Sequence, residues 1–205
     1  MQRSPIVYFL FFISGITALI YEIVWTRMLT LVFGHTVFSV SVVLAAFMAG
    51  LGLGSYLFGY AVDRLPETQG SSAGGKAALL IYGWVEILIF ASGALLSFLF
   101  ANFSGIYASL HSVIPESIPL QNLIRMVFAF ALMLIPTTLM GATLPIISKY
   151  CITDDSRIGT QVSLLYALNT LGGALGCLMA GFFLMGTFGI LQTVLLAAGA
   201  NLLIG

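Results

Sequence analysis

The chain has 205 residues, of which 60% are hydrophobic and only 7% charged, with seven Lys plus Arg against seven Asp plus Glu. A soluble domain carries about 25% charged residues, so this composition cannot cover a water-facing surface and excludes a soluble enzyme, a disordered chain and a basic nucleic-acid binder. The two cysteines form no metal or disulfide pattern. The remaining class is an all-α polytopic membrane protein, because the apolar runs are continuous and lack the ten-residue alternation of a barrel.

Six runs approach the roughly 20 apolar residues that a spanning helix needs: 5–33, 36–62, 77–100, 120–147, 158–184 and 188–205. Together they form a single transmembrane domain over residues 1–205. The first run is too long for a cleavable signal sequence and has no small-residue cleavage site after it. It carries Glu22 and Arg27 in its second half. Five residues on a helix place these about 140° apart, so they do not pair with each other. Arg125, entering from the same side on the fourth run, is the candidate partner for Glu22. This group reads either as an ion pair tying two helices or as a gate. Tyr21 and Trp25 beside it read as an interfacial belt, with a cation-binding cage as the alternative.

Only Gly34 and His35 separate the first two runs, which demands a tight hairpin. The second run has Ala46, Gly50 and Gly54 at four-residue spacing, then Ser55 and Gly59, the small-residue pattern of close helix packing. It ends at Asp63 and Arg64, where Arg64 reads as plain anchoring at the headgroups. In the third run Glu86 lies ten residues past Lys76, about 15 Å along a helix and so near the bilayer midplane. A charge there costs at least about 2.5–3.5 kcal/mol and needs a partner, a cavity or a proton.

The segment 104–120 has apolar residues at helical spacing and reads as a short interfacial helix. His35 and His111 are isolated, so no metal site is expected. Asn102-Phe-Ser104 fits the short glycosylation pattern. Pro136 interrupts the fourth run and Pro145 lies near its end. The fifth run repeats the small-residue pattern with Gly172 and Gly176 and carries Asn169 at the depth of Glu86. Tyr82 and Tyr166 lie one turn toward the charged side of each. These four residues are the candidate site for a cation or proton. The alternative is structural: a neutral Glu86 giving one hydrogen bond, with Asn169 gluing helices. The sixth run ends at Gly205 without a polar flank, as a fragment of a longer chain would. With six spans, Arg3, Arg64, Lys76, Lys149 and Arg157 share one side, against Arg27 and Arg125 on the other, which predicts both termini in the cytoplasm.

Four segments carry a resemblance: Ser14–Arg27, Phe47–Ser55 with Gly59–Arg64, Met140–Pro145, and Leu165–Gly176. In this order, over nearly the whole chain, they resemble the membrane module of fused, membrane-bound spermidine-synthase-like proteins, which is itself similar to half of a major facilitator transporter. The resemblance implies a bacterial plasma (inner) membrane and polyamine biosynthesis as context. It also implies a cytoplasmic aminopropyltransferase domain or subunit as partner and, through the likeness to a facilitator half, a cytoplasmic latch at Asp63 and Arg64. The Rossmann-type cofactor turn and acidic amine site of such a transferase are missing from these 205 residues, so no catalytic site or cofactor is expected here. A transporter reading, moving a small cation such as a polyamine or a proton, needs a homodimer or a second half. The lipid bilayer is the certain partner on composition; nucleic acid is not one.

Overall fold

A computed structural model describes residues 5–34, 36–64, 73–103, 118–152 and 158–205. Apolar runs in a bilayer must satisfy their backbone polar groups within the segment, and the described residues do so as helices, with no strand among them. The helices are α1 (Pro5–Phe33), α2 (Thr36–Asp63), α3 (Ala73–Ala101), α4 (Ile118–Cys151), α5 (Ile158–Phe188) and α6 (Ile190–Ile204). The first five are long and apolar enough to cross a membrane. The sixth is equally apolar, but its 15 residues span only about 22 Å against a core of about 30 Å.

Two glycines with positive φ punctuate the chain. Gly34, at φ 71°, ends α1 and donates its amide to the Thr30 carbonyl at 3.0 Å. Gly189, at φ 84° and ψ 174°, is the single residue between α5 and α6, in a region open essentially only to glycine. Within α5 the residues Ala180–Leu184 form a wider π turn. The two cysteines are free: Cys151 is buried at the end of α4 and Cys177 is half-buried in α5.

Small residues let two helix pairs approach backbone to backbone. In the α2–α4 pair, a Cβ at Gly50 would overlap Thr137, and one at Gly54 would overlap the Thr138 carbonyl oxygen. The Thr137 hydroxyl is shared between the Met133 carbonyl at 2.7 Å and the Ala46 carbonyl at 3.2 Å. In the α1–α5 pair, a Cβ at Gly172 would overlap the Phe12 carbonyl, and one at Gly176 the Ile16 carbonyl.

These two crossings repeat one pattern. Gly54 faces the Thr138 carbonyl and the Ala142 amide, while Gly172 faces the Phe12 carbonyl and the Ile16 amide. Gly141 meets the backbone of Leu51, and Gly15 meets the backbone of Asn169. Leu51 and Gly54 therefore correspond to Asn169 and Gly172, both 118 positions on. Phe12, Gly15 and Ile16 correspond to Thr138, Gly141 and Ala142, all 126 positions on. The α1–α2 and α4–α5 segments thus pack by an internal repeat, with the pairings exchanged between them.

The repeat also explains one difference. Pro145 has no amide to give the Gly141 carbonyl, and the Ser55 hydroxyl supplies that bond at 3.0 Å. The equivalent place on α1 is Leu19, which has an amide, and the residue facing it is Gly173, which has no donor side chain. Of the remaining helices, α3 packs mainly on α4 and also on α6 and α1, and α6 packs on α3 and α1. α1 sits centrally, and its buried face includes Phe11, Tyr21, Val24, Trp25 and Leu29.

Candidate functional site

Glu86 is completely buried where α3 meets α6. The two backbones come close there because Gly83, one turn before, has no side chain and lies against Gly205. Asn201 of α6 donates its Nδ2 to Glu86 Oε2 at 2.6 Å. The hydroxyls of Ser14 on α1 and Tyr82 on α3 also interact with this carboxyl group. Tyr21 is near enough to be coupled to it electrostatically.

A polar inventory shows what this cluster can accept. Glu86 Oε1, Asn201 Oδ1 and the hydroxyls of Tyr82 and Tyr21 are all buried, and among the described residues none of them has a partner at full hydrogen-bond geometry. The carboxyl and amide oxygens are acceptors, and each hydroxyl has lone pairs as well as a proton. The cluster therefore favours a species that brings donors or positive charge. Aromatic rings wall it off. Phe11 meets Tyr82 edge-on at 6.4 Å, and Tyr21, Trp25 and Phe47 pack in sequence with tilted rings at 5.0 and 5.9 Å. Trp25 satisfies its indole N–H on the Ser97 hydroxyl at 2.9 Å.

Beside the cluster runs a groove of about 570 Å³ between α1, α3 and α6. Val7, Leu10, Leu79, Ile87 and Ile204 line it, with the exposed Leu80 and Trp84. Tyr82 lines it as well.

The residues singled out in the sequence are distributed as follows. Tyr82 and Glu86 come together. Asn169 instead lies on the α1–α5 seam, with its backbone and side-chain oxygen against Gly15, and Tyr166 is 62% exposed on the outside of α5. Glu22 and Arg125 are half-buried on α1 and α4, and Arg27 is exposed. Tyr21 and Trp25 are core residues rather than an interfacial belt, because their face of α1 is enclosed by neighbouring helices. Asp63 and Arg64 are both exposed; Arg64 stacks over the Tyr60 ring at 4.1 Å and donates to the Tyr60 hydroxyl. Gly50, Gly54, Gly172 and Gly176 are the packing contacts already described. His35, His111, Arg3, Arg157 and most of the segment 104–120 lie outside the described residues.

Sequence reasoning passes over Asn201 and Ser14, and groups Tyr21 with Glu22 rather than with Glu86. Asn201 gave the same signal as Asn169, an amide inside an apolar run. Its depth was not assigned because no charge flanks the sixth run to measure from. No family model, curated protein or solved structure matches the chain.

Proposed function

We propose that the chain is an integral membrane module of the spermidine-synthase-like kind, resembling half of a major facilitator transporter. In this reading it anchors or partners a cytoplasmic aminopropyltransferase domain carried outside these residues, at a bacterial inner membrane. It has six spans, with both termini in the cytoplasm. One observation carries the reading: the segments that bear the resemblance supply the helix crossings. Gly15, Gly50, Gly54, Ser55, Gly141, Asn169, Gly172 and Gly176 all come from those segments, and all sit at the α1–α5 or α2–α4 contact. The shared residues are therefore architectural, which suits a module that holds a partner rather than one that performs transfer. The repeat in the packing agrees with a half-facilitator, in which two three-helix units are inverted relative to each other.

The test is co-purification of the full chain with an aminopropyltransferase from its native membrane, together with a reporter fused after Gly205. Stable co-purification and a cytoplasmic reporter are expected. A reporter on the opposite face rejects the anchoring role.

A second reading is favoured by Glu86, a carboxyl buried among polar atoms that have no hydrogen-bond partner among the described residues. Here the bundle binds a small cation or proton at midplane and moves it as a dimer. In liposomes, Glu86→Gln abolishes the flux; unchanged flux rejects Glu86 as the site.

A further inference from the structure

We propose that a single proton docks α6 on α3: held between the Glu86 carboxyl and the Asn201 amide, it closes the contact between the two helices, and its loss opens that contact. This rests on the reading of Glu86 as a site for a cation or proton, commits it to the proton and names what the proton controls. Asn201 donates its Nδ2 to Glu86 Oε2 at 2.6 Å. The other oxygen of each group, Glu86 Oε1 and Asn201 Oδ1, is buried without a partner at full hydrogen-bond geometry. An ionised carboxyl and an amide oxygen only accept, so neither supplies a proton to the other. A protonated carboxyl donates through one oxygen and still accepts through the other. It then matches a primary amide atom for atom: the amide N–H goes to one carboxyl oxygen, and the carboxyl O–H goes to the amide oxygen.

The other groups at the carboxyl suit either state. Ser14 and Tyr21 from α1 and Tyr82 from α3 face it, and Cys151 at the end of α4 lies by Tyr82. A hydroxyl both donates and accepts, so Ser14 and Tyr82 stay on the carboxyl whether or not it holds a proton. Asn201 Oδ1 has no such freedom. No Lys, Arg or second carboxyl of the described residues bears on Glu86, so ionisation leaves an uncompensated charge in the core of the bundle. The element placed to respond is α6. Among the described residues this is the one side-chain hydrogen bond between α3 and α6, and α6 carries no charged side chain. It is 15 residues long and joins α5 through Gly189 alone, whose φ of 84° belongs to glycine. Once the proton leaves, acceptor oxygens and a negative charge face each other across the seam, and α6 swings off α3 about Gly189.

The full chain in lipid nanodiscs is followed from acid to alkaline pH in two ways. Infrared difference spectra report the carbonyl stretch of a protonated carboxyl. Spin labels at Leu88→Cys on α3 and Leu203→Cys on α6, both exposed, in a background lacking Cys151 and Cys177, report the spacing of the two helices. At acid pH the protein is expected to show a carboxyl band that is missing from Glu86→Gln and displaced in Asn201→Leu. Raising the pH is expected to remove the band and to lengthen the spacing with the same midpoint. Glu86→Gln, whose amide N–H takes the place of the carboxyl O–H, is expected to keep the short spacing at every pH. Loss of the band with no change of spacing overturns the inference, while Glu86 remains a proton site. A spacing that still follows pH in Glu86→Gln puts the switch elsewhere and overturns it as well. A Glu86 band absent at every pH, with a spacing that responds at constant pH to sodium, calcium or methylammonium unless Glu86 is changed to Gln, overturns it in favour of a larger cation. No response of band or spacing to pH or to these cations overturns both the inference and the reading beneath it.

Discussion

Glu86 is held by one strong hydrogen bond, so the cost of losing its partner depends on what is left behind. In Asn201→Leu the carboxyl keeps its burial and loses the amide, which costs about 1–2 kcal/mol. In Glu86→Leu the amide is stranded instead, at a similar cost. Replacing both with leucine leaves no polar group to strand, and such a swap is close to neutral. The double variant should therefore be more stable than either single one, as read by thermal unfolding in detergent. If the two losses simply add, the hydrogen bond is not the coupling between α3 and α6. At this scale the sequence shows an acid at a depth where acids are costly, and that is enough to single out Glu86. Its partner is invisible there, because Asn169 and Asn201 are both amides in apolar runs. What separates them is which helix packs on α3, a long-range fact. Tyr21 and Trp25 are misread for the same reason: aromatic residues near a charge look interfacial until the burying face of the helix is known.

At the scale of the helix, proline and glycine act through the neighbour they face. Pro145 removes the amide that would close on the Gly141 carbonyl, and Ser55 from α2 replaces it. Ser55→Ala should cost about 1 kcal/mol. In a Pro145→Ala background the helix regains its own donor, and Ser55→Ala should then cost much less. Equal costs in the two backgrounds, measured by thermal unfolding, would show the serine to be incidental. Glycines on one helix also divide sharply. Gly54→Ala pushes a methyl group into the α4 backbone and should lower stability by about 1–3 kcal/mol, as overpacking does. Gly52→Ala meets nothing within 4 Å and should leave stability unchanged or slightly raised. A four-residue glycine pattern is readable as a packing surface from sequence alone. The identity of the surface it meets is not, and neither is the reason for Ser55, since the carbonyl it satisfies lies 86 residues away.

For the whole molecule, the class follows directly from composition, because a chain with 7% charged residues has few arrangements outside a bilayer. The internal repeat is hidden, because apart from the glycines (Gly54 with Gly172, Gly15 with Gly141) equivalent positions share contacts and not residue types: Leu51 stands for Asn169, and Thr138 for Phe12. The repeat bears on how the helices cross. If each helix spans, three crossings per half turn the second half upside down relative to the first. The short α6 is the weakest link in that alternation, and Asn201 addresses it. Asn201 lies twelve residues after Gly189, about 18 Å along the helix. Glu86 lies about 15 Å past Lys76. Two helices entering from opposite faces with these depths meet near the middle of a core of about 30 Å, where the hydrogen bond forms. Single cysteines placed in a background lacking Cys151 and Cys177 read the alternation out. Arg64→Cys and Lys149→Cys should react with an impermeant maleimide only from the cytoplasmic side, and Asn102→Cys and Thr187→Cys only from the other. Labelling of Thr187→Cys from the cytoplasmic side would mean that α5 does not cross. The opposed entry of α3 and α6 would then fail, and with it the midplane position of Glu86.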